Sequence, residues 1–219
     1  MDSKCPQTSE EVIRSLIDHY LELAACEDDV RAAAEALVGA FRAGGKLLVC
    51  GNGGSAADSE HIVGELMKSF RFKRPVDAAF AEAYRAVNGE DAPAWLEGAV
   101  PAISLVSHTA LSTAFGNDEA SVGVFAQQVY GYGEPGDVLL AISTSGNSAN
   151  VVEATKVARA KGVKVVSLTG SKASKLSSLS DVCVRVPRDE TFQVQELHLP
   201  VYHCLCACVE VDLFGGLDG

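Results

Sequence analysis

A chain of 219 residues with 47% apolar side chains can bury a sizeable core and suits one domain. Its net charge of −11 argues against a nucleic-acid binder or a binder of anionic membranes, because basic residues supply both affinities. No apolar stretch approaches the roughly 20 residues needed to span a bilayer. Met1 leads into polar residues without the apolar core of a signal peptide, so a cytoplasmic protein is expected. The cysteines, Cys5, Cys26, Cys50, Cys183, Cys204, Cys206 and Cys208, are odd in number and mostly sit in apolar runs. Cys204, Cys206 and Cys208 alternate on a predicted helix and cannot all face one metal, so free buried thiols in a reducing compartment are expected.

Thr8 or Ser9 can cap a first helix whose apolar stripe is Val12, Leu16, Tyr20 and Leu23. A second helix from about Asp28 carries Val30, Ala34, Leu37, Val38 and Phe41 and ends at Gly44-Gly45. Strands are expected near 46–50, 102–106, 137–142, 164–168 and 182–186, with helices between most of them. That alternation implies an α/β fold with a parallel sheet covered on both faces. A strongly apolar final helix runs over about 192–213. The first helix has no strand to cover, so its stripe is expected on the last helix or on another subunit.

After the strand at 46–50 comes Gly51-Asn52-Gly53-Gly54-Ser55, opening a helix that carries His61 and Glu65. Asn52, Gly53 and Gly54 let backbone N–H groups approach an anion, Ser55 can cap the helix and donate its hydroxyl, and the helix N-terminus adds positive potential. The loop has neither the Lys-Ser/Thr ending of a P-loop nor a G-x-G-x-x-G pattern. His61 and Glu65, four apart, share one helix face within reach of the rest of a phosphorylated ligand. Such a loop also occurs without phosphate, and such a pair is often only a solvated face.

The strand at 137–142 runs directly into Ser143-Thr144-Ser145-Gly146-Asn147-Ser148 and a further helix. Four hydroxyls, from Ser143, Thr144, Ser145 and Ser148, can surround a phosphate with neutral donors. Serines and threonines are also ordinary cap and turn material. Two such loops at strand ends nevertheless point to one ligand, since open α/β sheets bind outside the carboxyl ends of their strands. On the final helix, Gln195 and His203 are eight apart and return to nearly the same face, with His198 between them.

The two loops, together with Gln195-Glu196-Leu197-His198 and His203, make the sequence resemble the sugar isomerase (SIS) fold family from about Val30 to Phe214. Within it the chain is most similar to the bacterial phosphoheptose isomerases. The resemblance implies a three-layer, flavodoxin-like SIS domain over 1–219, with a helical arm at 1–43 and a parallel α/β core at 44–214. It implies an aldose–ketose isomerase that converts sedoheptulose 7-phosphate to D-glycero-D-manno-heptose 7-phosphate through an enediol. Glu65 and His203 are the implied acid/base pair, and His61, Glu65, Gln195 and His203 an implied zinc site. Asn117 and Asp118 match a segment near the substrate hydroxyls, although their own pattern reads as a turn. The resemblance further implies a homotetramer with helices bundled at its centre and sites at subunit boundaries.

Two departures stand out. Phe192 occupies a position, three before Gln195, that is usually acidic in these isomerases. An expanded segment at 76–100, with Tyr84, Asn88-Gly89, Pro93 and Trp95, is either a lid that reshapes sugar specificity or plain surface elaboration. The rival class within the fold is a non-catalytic module that binds a replication initiator or senses phosphosugars. Initiator-binding relatives typically lose the histidine and carry Arg in the second loop, whereas His203 and Ser143-Thr144-Ser145 are present here.

Overall fold

The computed structural model describes residues 8–215. Its helices are α1 Ser9–His19, α2 Glu27–Arg42, α3 Gly54–Met67, α4 Ala78–Asn88, α5 Thr109–Phe115, α6 Val124–Tyr132, α7 Ala149–Ala160, α8 Lys175–Leu179 and α9 Thr191–Phe214. Strands β1 Leu47–Cys50, β2 Ala102–Ser104, β3 Val138–Ile142, β4 Lys164–Thr169 and β5 Val182–Arg185 form one parallel sheet in the order β2-β1-β3-β4-β5. Each strand lies within two residues of its expected position because each is a short apolar run bounded by turn residues.

Side chains alternate across a strand, and the alternation divides the interior in two. Leu47, Val49, Leu140 and Val166 enter a core shared with α1, α2, α3 and α9. Leu48, Cys50, Leu139 and Val165 enter a second core with α6, α7 and α8. The three layers follow. In this strand order the connection from β1 to β2 and that from β2 to β3 run in opposite directions, so a crevice opens beyond the carboxyl ends of β1 and β3. Both predicted anion loops lie there.

Thr8 caps α1 by accepting from the Glu11 N–H at 3.2 Å. The apolar stripe packs within the chain on α9, where Ser9 Oγ donates to the Cys208 carbonyl at 3.4 Å. Tyr20 departs from that stripe: the helix ends at His19, the chain tightens into a 3-10 turn over Leu21–Cys26, and Tyr20 is left 42% exposed while Leu23 is buried. The last helix also corrects an expectation, since its mean hydropathy and length are sufficient to cross a membrane. It is instead a core helix, with 72% of its most apolar window buried between α1, α2 and α3. Pro200 interrupts its hydrogen bonding by lacking an N–H for the Glu196 carbonyl.

The six described cysteines are free, and all but the half-buried Cys183 are buried. Burial pushes the Cys26 thiol up to about 11 and the Cys50 thiol up to about 12, away from reactive thiolate. Cys5 lies outside the described residues. The 76–100 segment contains α4, which has no buried residue and is closed by Gly89 at φ 74°. A cavity of about 750 Å³ is lined by the segment and by Leu213 and Phe214, at the opposite end of α9 from Gln195. Within this chain the insertion therefore does not close over the anion loops.

Candidate active site

The first loop is shaped by glycine. Gly53, at φ 57°, occupies the N-cap position of α3 and Gly54 is its first residue, so Ser55 is not the cap expected from sequence. A left-handed turn is open to glycine at little cost, and here it starts the helix before Ser55 is reached. Ser55 is instead buried in the first turn, with its N–H donating to the Asn52 carbonyl at 3.0 Å. The missing side chain at Gly54 also admits a neighbour: a Cβ there would lie 2.4 Å from Gln195 Nε2. Gln195 thus meets the glycine loop, at the anchor end of the site.

The second loop holds itself by its own hydroxyls. Ser143 and Ser148 share a hydrogen bond at 2.9 Å, and the Asn147 N–H donates to Ser145 Oγ at 3.2 Å. Gly146, at φ 63°, makes the turn, and Thr144 accepts at its carbonyl from the Gly170 N–H. The two loops are joined by paired amides, Asn52 and Asn150, each donating to the other at 2.9 Å. Asn150 was not singled out from sequence, since its role depends on β1 and β3 being neighbours.

Helices α3 and α9 run side by side in register: Gly54 meets Gln195, and about two turns later His61 meets Tyr202 and His203. His61 Nε2 lies 3.1 Å from Glu65 Oε1, and the His61 and His203 rings meet edge to face at 4.9 Å. Burial pushes the Glu65 carboxyl up, but Lys68, 3.0 Å from Oε2, and His61 outweigh it, so the group sits below its ordinary value and is charged at neutral pH. His203 is held below the usual imidazole value by burial and by His61, against a smaller opposing pull from Glu65. It is therefore neutral at pH 7.

Beneath this cluster lies a fully buried ion pair. Arg74 Nε donates to Glu210 at 2.7 Å, and the guanidinium also donates to the carbonyls of Glu65 and Leu66. Glu210 accepts in addition from the Phe70 and Arg71 N–H groups, both at 2.8 Å. Arg74 caps the end of α3 and ties the Glu65 backbone to α9, the helix that carries His203. Asp58 and Tyr202, also not singled out from sequence, stand behind His61, with Tyr202 OH 2.9 Å from Nδ1.

His203 borders a cavity of about 280 Å³ together with Leu16, His19, Tyr20, Phe70, Arg71 and Leu199 among others. Asn117 and Asp118 sit on an exposed π-helical turn and bond to each other at 2.9 Å. Phe192 is 60% exposed at the start of α9.

Among the described residues no three His, Cys, Asp or Glu side chains are gathered closely enough to enclose a metal ion. The donor chemistry nevertheless fits zinc. His203 Nε2 is buried without a hydrogen-bond partner, and the His61 and His203 imidazoles and the Glu65 carboxylate are donor types that zinc takes.

Two neutral loops rich in glycine and hydroxyls at the switch point of a parallel sheet, with the His61–Glu65–His203 cluster about two helical turns away, have the form of a ligand-binding α/β protein. A SIS domain model matches residues 11–103 and 83–170. The phosphoheptose isomerase of Rhodospirillum rubrum is 40% identical over 193 residues, 88% of this chain and 90% of that protein. That of Akkermansia muciniphila is 36% identical over 93% of this chain and 96% of its own. The solved structure of a phosphoheptose isomerase from Francisella tularensis superposes with a TM-score of 0.73 at 33% identity, covering 91% of this chain and 95% of that one. The chain belongs to the SIS-domain family and, within it, to the phosphoheptose isomerases.

Proposed function

We propose that the chain interconverts sedoheptulose 7-phosphate and D-glycero-D-manno-heptose 7-phosphate by proton transfer between C1 and C2. The observation that carries this reading is the register of α3 against α9. It sets the His61–Glu65–His203 cluster about 10 Å, two helical turns, from the anion loops. That separation suits a terminally phosphorylated sugar of heptose length.

The N–H groups of the 52–55 turn, the hydroxyls of Ser55, Ser143, Thr144, Ser145 and Ser148, and the Gln195 amide receive the phosphate. Binding energy gained there fixes the orientation of the reacting carbons. Glu65, charged at neutral pH, takes the proton from one carbon and returns it to the next. Neutral His203 moves protons to and from O1 and O2. His61, Glu65 and His203 would hold zinc; Gln195, the further ligand that the family resemblance implies, lies in this chain about two helical turns away beside Gly54. When bound, the ion stabilises negative charge on the substrate oxygens. Asn117 and Asp118 are proposed to meet the sugar hydroxyls.

The reading includes a cytoplasmic homotetramer. Free thiols suit a reducing compartment. Tyr20 and Leu199, each about two-fifths exposed beside His203, suit a subunit boundary at the site. The test is C–H exchange followed by NMR in D2O with metal-replete enzyme and a panel of ketose phosphates. Exchange is expected with sedoheptulose 7-phosphate. A complete panel without exchange would instead identify a module that binds phosphosugars without turning them over.

A further inference from the structure

Asp58 and Tyr202 have no part in the mechanism above, yet both converge on His61. Asp58 lies three residues before His61 on the same face of α3. Tyr202 reaches over from α9 and is only 1% exposed. Its hydroxyl meets His61 Nδ1 at 2.9 Å, and its ring stands edge-on to His61 and His203 at 5.5 and 4.9 Å between centroids. The Asp58 carboxylate interacts with the same hydroxyl, while its Oδ2 is buried with no aligned partner.

A phenol has one proton to give, and where it goes decides how the three groups are joined. If it goes to His61 Nδ1, the histidine carries its own proton on Nε2 and can bond Glu65. Asp58 is then left with a buried, unsatisfied oxygen. If His61 carries its proton on Nδ1 instead, it donates to the phenol oxygen and the phenol is free to donate to Asp58. That arrangement turns the Nε2 lone pair toward Glu65 Oε1, 3.1 Å away, where two acceptors face each other. With His61 neutral and Asp58 ionised, one contact is always broken. A cation between Nε2 and the carboxylate, in the place of the proton that an imidazolium would carry there, satisfies all four groups.

We infer that Asp58 and Tyr202 are positioning residues which hold His61 as the Nδ1–H tautomer and present Nε2 as a metal ligand. Metal-binding imidazoles are commonly held by donating the other ring N–H to a carboxylate. Here the carboxylate acts through a phenol contributed by the second helix. The inference rests on the metal-assisted isomerase reading and adds the residues that prepare its site.

The test uses metal-free full-length protein, zinc, and a chromophoric chelator as competitor. Tyr202→Phe should bind zinc about 10–100-fold more weakly than the parent. Asp58→Asn should also bind it more weakly, yet its metal-free form should melt no lower than the parent's. The asparagine amide can donate to the phenol oxygen while the phenol donates to His61, which removes the broken contact. A merely structural role for Asp58 would lower melting temperature and leave zinc affinity alone. Asp58 is only half-buried, so its variant keeps the inference open to refutation if the Tyr202 variant does not fold. Parent protein that binds zinc, with variants that bind it equally, overturns the relay alone. Parent protein that takes up no zinc overturns the metal reading and the relay with it.

Discussion

The two ends of the site differ in what holds them and in what they hold. At the anchor end the groups are neutral: an exposed glycine turn, a ring of hydroxyls in which Ser55 and Ser143 are buried, and the Asn52–Asn150 amide pair that ties the loops together. At the chemical end they are charged or titratable and pressed between two helices, with the fully buried Arg74–Glu210 pair beneath them. Hydroxyls that each bond a different neighbour contribute separately, so losing one leaves the others in place. Groups that share protons within one cluster succeed or fail together. On the proposed function, the contrast assigns affinity to the loops and turnover to the helix pair.

The largest effect expected from this contrast is at Glu65. Glu65→Gln keeps the shape and removes the base, so kcat should fall about 10²–10⁴-fold while KM changes little. His203→Asn should fall by a similar factor, and the double variant should be scarcely worse than either single one. Steady-state kinetics with sedoheptulose 7-phosphate, on preparations free of host isomerase, would show this. Losses that multiplied in the double variant would mean that the two residues act independently.

A smaller effect separates His203 from its neighbour on the same helix. His198 turns into the core, is fully buried, and has no aligned partner for either ring nitrogen. Burial lowers it to about 4 from an ordinary 6.5, against a weaker opposing pull from the Thr169 backbone. Between those values the unfolded chain binds the proton and the folded chain does not, so stability rises with pH across the window and is lost as pH falls from about 6.5 toward 4. The contribution is about 3 kcal/mol. Urea unfolding should show the parent losing that much more than His198→Leu between pH 7 and pH 4. Parallel pH profiles would mean that His198 is not buried as a neutral imidazole.

Legibility followed the same division. The strands, the two loops and the His61–Glu65 spacing are local patterns, each contained within a few consecutive residues, and the structure places them as read. The contacts between α3 and α9 are different, because they depend on which turn of one helix faces which turn of the other. The resemblance implies Gln195 as a metal ligand and its periodicity puts it on the face of His203, yet in this chain it rests against Gly54, since eight residues carry it about two turns up the helix. Tyr202 was hidden by its place in an apolar run, and Glu210 by the distance in sequence to Arg74. Tyr20 obeyed the stripe periodicity, but the helix ended one residue before it. Ser55 had the right chemistry for a cap and lost the position to Gly53, whose backbone freedom starts the helix sooner.

The smallest effects, and the sharpest test of independence, belong to the second loop. Ser143 Oγ is paired with Ser148, and Ser145 Oγ accepts from the Asn147 N–H, so the two serines share no partner. Each alanine substitution removes one neutral hydrogen-bonding group, worth about 0.5–1.5 kcal/mol. Ser143→Ala and Ser145→Ala should therefore each weaken a sugar phosphate by about 2–12-fold, read by calorimetric titration, with kcat held near the parent value. Inorganic phosphate should lose affinity in the same proportion, because the lost contact is to the phosphate and not to the sugar. The double variant should lose the product of the two factors, in contrast to Glu65 and His203. If it binds phosphate as the parent does, the glycine turn alone is the anchor. If it loses turnover instead of affinity, the division between the two ends of the site is wrong.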